Sequence, residues 1–247
     1  GLKLERFGSN VVSRPDPQAL WDRRDKNLWE KADAVFTDKW QGRKNIKEDW
    51  KITLANNTFI LKLSEFKHVG VFPEQESNWK WMDEKIRVES SKVKKEMNVL
   101  NLFGYTGGAT VACLRAGANV THVDGSKTAI TWAKANAEAS GLGKKPVRWI
   151  LDDVLAFAKR EVRRRVKYDA IILDPPSFGR GPKGEAWKIE KDLPELISVM
   201  GELISENAIF ILLNGYASGY SSLAYENCLE GFKKTLGGGI SCGEMCI

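Results

Sequence analysis

From Met97 onward the chain alternates between short apolar runs and longer stretches of helical period, and few architectures accept that pattern. The apolar runs lie at 99–103, 119–124, 147–151, 168–173 and 208–214, with helical stretches at about 107–116, 126–141, 153–165, 190–205 and 218–236. In the second helical stretch Ala129, Ala133 and Ala137 fall on one side with Ile130 beside them, a flat apolar face suited to docking on a sheet. Runs that are apolar on both faces need cover on both faces. Successive strand–helix units supply it as a parallel sheet with right-handed crossovers. The expected fold class is therefore α/β, a doubly wound, Rossmann-like sheet with helices on both faces. Ligands of such sheets sit at the carboxyl ends of the strands near the switch in strand order, so function is sought in the loops after each strand.

Residues 1–84 have a different texture. Short, partly alternating runs at 11–12, 34–36, 50–54 and 58–63 suggest β-strands, with a hairpin turn at Asn56-Asn57. Six of the nine tryptophans (Trp21, Trp29, Trp40, Trp50, Trp79 and Trp81) fall in this third of the chain, where they are expected mostly to supply the core that short strands lack. The division expected is a small β-rich N-terminal domain over 1–84 and a second domain over 85–247. A shaped loop at 66–75 leads out of the first, and a helix is expected from 79 to about 91.

Composition narrows the classes of function. The chain has 247 residues, 43% of them hydrophobic, enough for a real core. No basic-then-apolar leader opens it and no apolar run reaches about 18 residues, so neither export nor membrane spanning is expected. Cys113, Cys228, Cys242 and Cys246 have neither disulfide-framework nor zinc-type spacing, and His68 and His122 lie far from them. That usage fits a reducing cytoplasm and no metal. The net charge is +6, from 38 Lys and Arg against 32 Asp and Glu. Basic clusters occur at Lys92, Lys94 and Lys95, at Arg160, Arg163, Arg164, Arg165 and Lys167, and at Lys183, Lys188 and Lys191. Such a surface attracts a polyanion such as RNA. The second cluster reads as charge at a helix end and the third as functional.

The loops carry the chemistry. After the first run come Gly104, Gly107 and Gly108, a turn that lets a ligand approach backbone and leads into a helix N-terminus. The second run ends in Asp124, about 20 residues past Gly104, where an acidic side chain can accept from both hydroxyls of a ribose. Ser126 follows as a possible helix cap. The third ends in Asp152-Asp153, placed to receive an adenine amine or to cap the next helix. The fourth ends in Asp174-Pro175-Pro176-Ser177-Phe178, whose two prolines fix a rigid backbone. Methyl transfer to an exocyclic amine suits this loop. If Asp174 and the Pro175 carbonyl each accept one N–H, the nitrogen lone pair turns toward the incoming methyl, while Phe178 stacks on the base. One such preorganised group can be worth about 2.7–4 kcal/mol.

With these loops assembled, the chain resembles the class I S-adenosylmethionine-dependent methyltransferases, and within them the bacterial group that modifies large-subunit ribosomal RNA. The motifs that carry the resemblance are Asn-Leu-Phe-Gly-Tyr-Thr-Gly-Gly from Asn101, Asp-Pro-Pro-Ser-Phe from Asp174, and Gly70-Val71-Phe72-Pro73-Glu74-Gln75 ahead of them. The resemblance implies that Phe103, Gly104, Tyr105, Thr106 and Gly107 surround the methionine part of S-adenosylmethionine. It implies that Asp124, with Ser126 beside it, holds the ribose, that Asp153 takes the adenine amine, and that Gln75 approaches the cofactor. Asp174, which is also expected to border the cofactor, then faces the acceptor with Pro175, Pro176, Ser177 and Phe178, and Lys183 and Lys188, in the glycine-rich stretch 179–188, form a mobile lid against RNA. Relatives that make 5-methylcytosine carry a nucleophilic cysteine after the fifth strand. Here that region reads Asn214-Gly215-Tyr216-Ala217-Ser218-Gly219, which points away from C5 chemistry and toward a base nitrogen. Class I methyltransferases close with a sixth strand and an antiparallel seventh; 239–247 supplies at most the sixth, and the sequence is expected to end ahead of the seventh. Transfer to a protein or small molecule, or a non-catalytic RNA-binding role on the same fold, are the alternatives. A nicotinamide dehydrogenase is disfavoured, because Gly104, Gly107 and Gly108 do not have G-x-G-x-x-G spacing.

Overall fold

The computed structural model describes residues 1–42, 46–47, 49–65, 67–216 and 219–245. Phe66, Ala217, Ser218, Cys246 and Ile247, each named or spanned above, lie outside the described residues. The chain forms two compact units, Gly1–Phe72 and Pro73–Ile247.

In the first unit β1 (Leu2–Phe7), β2 (Asn10–Pro15), β3 (Ala34–Phe36) and β4 (Trp40–Gln41) form a sheet in that order, with a short helix α1 (Lys26–Glu30) before β3. Strands β5 (Lys51–Leu54) and β6 (Asn57–Ile60) form a hairpin. Its turn falls one residue earlier than the sequence suggests: Ala55 and Asn56 take φ of 46° and 60°, the left-handed pair that a two-residue hairpin requires. Asn57 is drawn into the strand and donates to the Ala55 carbonyl at 2.9 Å. Trp40 and Trp50 are core residues, as expected, and the Trp50 indole donates to the Phe7 carbonyl at 2.9 Å. Trp21 departs from the expectation, at 72% exposed.

The second unit opens with helix α2 (Glu76–Val93), preceded by a single 3-10 turn over Pro73–Gln75. This helix buries Trp79, Met82 and Ile86. An added Cβ on Gly108 would come within 2.4 Å of the Trp79 ring, so the helix is packed into the second unit. For that reason the units divide at 72/73 and not at 84/85. There follow β7 (Asn98–Leu102), α3 (Gly108–Arg115), β8 (Asn119–Asp124), α4 (Lys127–Ala139), β9 (Val147–Leu151), α5 (Val154–Arg163), β10 (Ala170–Leu173), β11 (Phe178–Arg180), β12 (Ala186–Lys188), α6 (Ile189–Leu203), β13 (Phe210–Leu213) and α7 (Ser222–Leu236). Residues 237–245 form no strand. No described helix is long and apolar enough to cross a membrane.

The main sheet runs β13-β10-β7-β8-β9 with every neighbour parallel, so chain order reverses between β7 and β10. All four residues of β10 are buried, and Leu100, Leu102, Ile171 and Leu173 pack with Phe157, Leu196 and Met200 in one cluster. Ala129, Ala133 and Ala137 are buried on α4, as their spacing predicts. Register then lays out the site. Leu102 is abreast of Val123 and of Leu173, Leu173 of Leu213, and Asp124 of Leu151. The strands therefore end nearly level, and Phe103, Asp124, Asp152, Asp174 and Asn214 stand in one row along the carboxyl edge.

Candidate functional site

The centre of that row is the turn after β7. Phe103 and Tyr105 take φ of 58° and 47°, left-handed values that cost a residue with a Cβ on the order of 1–3 kcal/mol each. Interior contacts hold the strain. The Gly104 N–H donates to the Val123 carbonyl at 3.0 Å, the Gly107 N–H to the Gly104 carbonyl at 2.9 Å, and the Asn136 amide to the Thr106 carbonyl at 2.8 Å.

The glycines themselves answer to packing. A Cβ on Gly104 would lie 2.4 Å from the His122 ring, and one on Gly107, where φ is 83°, would lie 2.8 Å from the Ala133 Cβ. His122 is wholly buried on β8, its Nδ1 2.9 Å from the Thr110 hydroxyl, and burial pushes its pKa down to about 3, so the imidazole is neutral. The turn is thus shaped from beneath. Gly107 at the start of α3 provides no side-chain cap, so the first N–H groups of that helix keep their anion affinity.

Asp124 stands beside the turn. Its Oδ2 accepts the Tyr105 N–H at 2.8 Å and its Oδ1 the Ser126 N–H at 2.8 Å. Burial pushes its pKa up, and these two backbone bonds offset part of the rise. Each oxygen keeps a lone pair in a fixed direction. Ser126 caps α4, its hydroxyl accepting from Ala129 N–H at 3.2 Å. The pair after β9 divides in the same manner: Asp153 caps α5 through Oδ1, and Asp152 accepts the Asp153 N–H and pairs with Arg160.

Asp174, at the end of β10, is different. Among the described residues no group donates to its carboxylate. Burial, with the negative charge of Glu74 adding to it, pushes its pKa up to about 7. Around it lies a polar frame that sequence reasoning missed apart from Gln75. The Gln75 amide donates to the Tyr216 hydroxyl at 2.8 Å, and that hydroxyl hydrogen-bonds Glu74. Asn78 donates to Gln75 Oε1 at 2.8 Å and to Asn214 Oδ1 at 3.1 Å. Burial and the charges of Asp174 and Glu74 raise the Tyr216 pKa, so its phenol stays neutral. Ordinary polar residues on the 3-10 turn, α2 and the loop after β13 give no local signal; only the fold brings them together.

The stretch expected as a mobile lid is an antiparallel hairpin, β11 with β12. Trp187 faces inward and anchors it, while Phe178 is 55% exposed and Lys183 and Lys188 are exposed with no ion pair on their ammonium groups among the described residues. The basic cluster at 160–167 behaves as charge at a helix end, with Arg160 and Arg164 paired to Asp152 and Glu161 and Lys167 on the Glu202 carbonyl at 2.9 Å. The Lys183 and Lys188 backbones are tied instead, to Glu185 and Asp192. Ser177 accepts the Ile189 N–H on its carbonyl.

A strained turn running into an uncapped helix, a carboxylate fixed at the end of the next strand and an open carboxylate across the switch point make the carboxyl edge of this doubly wound sheet a candidate nucleoside site. The chain belongs to the S-adenosylmethionine-dependent methyltransferase family, whose model matches residues 31–231. Among curated relatives, Ribosomal RNA large subunit methyltransferase K/L of Shewanella frigidimarina is 34% identical over 158 residues, 63% of this chain and 21% of that protein. The chain therefore spans about a fifth of the length of such relatives. Among solved structures, a SAM-dependent methyltransferase from Agrobacterium tumefaciens is 39% identical with a TM-score of 0.88, covering 94% of this chain and 75% of that one. A methyltransferase solved in complex with SAH shares the fold at 24% identity and a TM-score of 0.76, covering 93% and 61%.

The family's cofactor is S-adenosylmethionine, and the donor set fits it. The uncapped N-terminus of α3 suits a carboxylate, and the fixed lone pairs of Asp124 suit a diol.

Proposed function

We propose that this chain transfers a methyl group from S-adenosylmethionine to a base nitrogen of ribosomal RNA, in the cytoplasm. The observation that carries this reading is the carboxylate of Asp174, level with the nucleoside turn and without a partner among the described residues. A half-buried carboxylate held at a strand end with no donor among the described residues is placed to accept from a group outside the chain. The Pro175 carbonyl beside it also accepts no hydrogen bond among the described residues.

Residues 103–107 hold the methionine end, Asp124 accepts from the ribose hydroxyls with Ser126 fixing it, and the free oxygen of Asp153 faces the adenine amine. When bound, the cofactor supplies an electrophilic methyl on a sulfonium. The chain's own residues do the rest by position. Asp174 and the Pro175 carbonyl each accept one N–H of the acceptor amine and turn its lone pair outward, Pro176 keeps the loop rigid, and Ser177 and Phe178 meet the base. Phe178, exposed and opposite Lys188 on a hairpin whose Lys183 and Lys188 carry no ion pair among the described residues, suits stacking next to a phosphate backbone. The names of the relatives favour ribosomal RNA as the acceptor class.

The test is incubation with labelled S-adenosylmethionine and large-subunit RNA from cells lacking the gene, followed by mass spectrometry of the nucleosides. An N-methylated nucleoside is expected. Label in protein or small molecules alone, or in 5-methylcytosine, contradicts the proposal.

A further inference from the structure

The hairpin β11–β12 meets the site at three loops, and a single buried side chain makes two of the contacts. Trp187 is 5% exposed. Its ring meets that of Phe103 edge-on at 4.8 Å and 61°, and its Nε1–H donates to the Pro176 carbonyl at 2.7 Å. Phe103 belongs to the strained turn after β7, and Pro176 to the loop that follows Asp174. The far end of β11 lies over the ribose side, where an added Cβ on Gly125 would come within 3.1 Å of the Arg180 carbonyl and 3.4 Å of the Gly181 Cα. The outward side of the same hairpin carries Phe178, Lys183 and Lys188.

These contacts lie outside the hairpin's own pairing, which consists of three paired positions and the Gly181–Glu185 turn. They tie it to two loops that receive the nucleoside. Phe103 holds its left-handed φ only while something fixes it, and the Trp187 ring is one of its packing partners. A nucleoside that holds the turn in this conformation therefore favours the docked hairpin, and a docked hairpin favours the nucleoside, by the same factor in each direction.

We propose that Trp187 is a positioning residue that joins the nucleoside turn to the acceptor loop, so that filling the nucleoside site docks the hairpin and presents Phe178, Lys183 and Lys188 to the acceptor. Its acceptor half rests on the RNA reading above. Its nucleoside half rests on the contacts of Trp187 and Gly125 alone. Cofactor and RNA then bind with positive coupling, and Trp187 acts through Phe103 and Pro176 without touching the reacting atoms.

Amide hydrogen exchange of residues 178–188 in the full chain, with and without S-adenosylhomocysteine, tests this directly. In the parent the nucleoside slows exchange by about fivefold or more, the lower end of ordinary coupling between sites. Trp187→Phe keeps an aromatic ring and removes the N–H, and Gly125→Ala pushes on the opposite seam. Each is expected to abolish most of the protection at 178–188 while residues 104–108 stay protected, an outcome that a general loss of stability does not produce. Exchange at 178–188 that ignores the nucleoside overturns the proposal, as does protection that survives both substitutions. In a parallel titration with unmodified large-subunit ribosomal RNA, the nucleoside tightens RNA binding by a similar factor. A hairpin that responds to the nucleoside while RNA fails to bind counts against the RNA reading and supports the coupling.

Discussion

Asp174 carries most of the functional argument, and its environment makes two opposed predictions. Burial and the Glu74 charge push its pKa up to about 7, so the accepting, ionised form is gained as pH rises through that value. Single-turnover methyl transfer should rise with pH around 7. Glu74→Gln removes the neighbouring charge and should move the midpoint of that profile to lower pH; an unmoved midpoint removes Glu74 from the explanation. Folding responds in the other sense. A carboxyl whose folded pKa lies above the ordinary value of 3.8 favours the fold fully below that value, and the contribution is lost as pH rises through about 7. Asp174→Asn should therefore melt higher than the parent at pH 8, while the two converge near pH 4, and it should lose activity. Asp174 and Asp124 were legible in the sequence because each closes an apolar run with a charge. The roles of Asp153 and Ser126 as caps were legible only as alternatives, because a cap and a ligand-binding carboxylate occupy the same place after a strand. Glu74, Asn78 and Tyr216 carried no signal, since what distinguishes them is contact across the fold.

Elements make the site rigid, and one cluster shows how. Glu161 of α5 is fully buried and joins Arg148 of β9 at 2.8 Å, Tyr168 at 2.7 Å and Arg164 at 3.0 Å. Burial alone would push its pKa up, but the hydrogen bonds from Arg148, Tyr168 and Arg164 outweigh this and hold it down at about 2. With the folded pKa below the ordinary 4.5, the cluster stabilises fully above about pH 4.5 and its contribution is lost as pH falls toward 2. Glu161→Gln should cost about 1.5–3 kcal/mol at pH 7 in urea unfolding, limited by the exposure of both arginines, and much less near pH 2. A substitution equally harmful at both pH values would show that packing, not charge, is the contribution. The strands and helices around this cluster were legible from period and run length, to within a few residues at their ends. The β11–β12 hairpin was not, because its strands are only three residues each and sit among glycines and lysines. Trp187, the one aromatic residue of the stretch 179–188, was the available sign of an anchored segment.

The field of the whole molecule sets how it meets a polyanion. With a net charge of +6, and with Lys92, Lys95, Arg160 and Arg164 of the other basic clusters held in ion pairs, the Lys183 and Lys188 ammonium groups, which carry no ion pair among the described residues, supply a local attraction beside Phe178. Lys183→Ala combined with Lys188→Ala should lower the salt slope of RNA binding by about 1.4, two phosphate contacts at roughly 0.7 each for single strands. An unchanged slope places the RNA elsewhere. At this scale the α/β sheet with its nucleoside turn was legible from the alternation that begins at Met97, because each apolar run admits only one role. The limits of the two compact units were less so. Helix α2 bears a polar surface and buries only Trp79, Met82 and Ile86, and its membership in the second unit is decided by contacts such as Trp79 against Gly108. The most direct measurement is a pair of numbers on Asp174→Ala, the affinity for S-adenosylmethionine and the single-turnover rate of methyl transfer to RNA. An acceptor-side role predicts cofactor binding close to that of the parent and a rate lower by about 10²–10³-fold. A rate equal to the parent's, or a loss explained wholly by cofactor affinity, would contradict it.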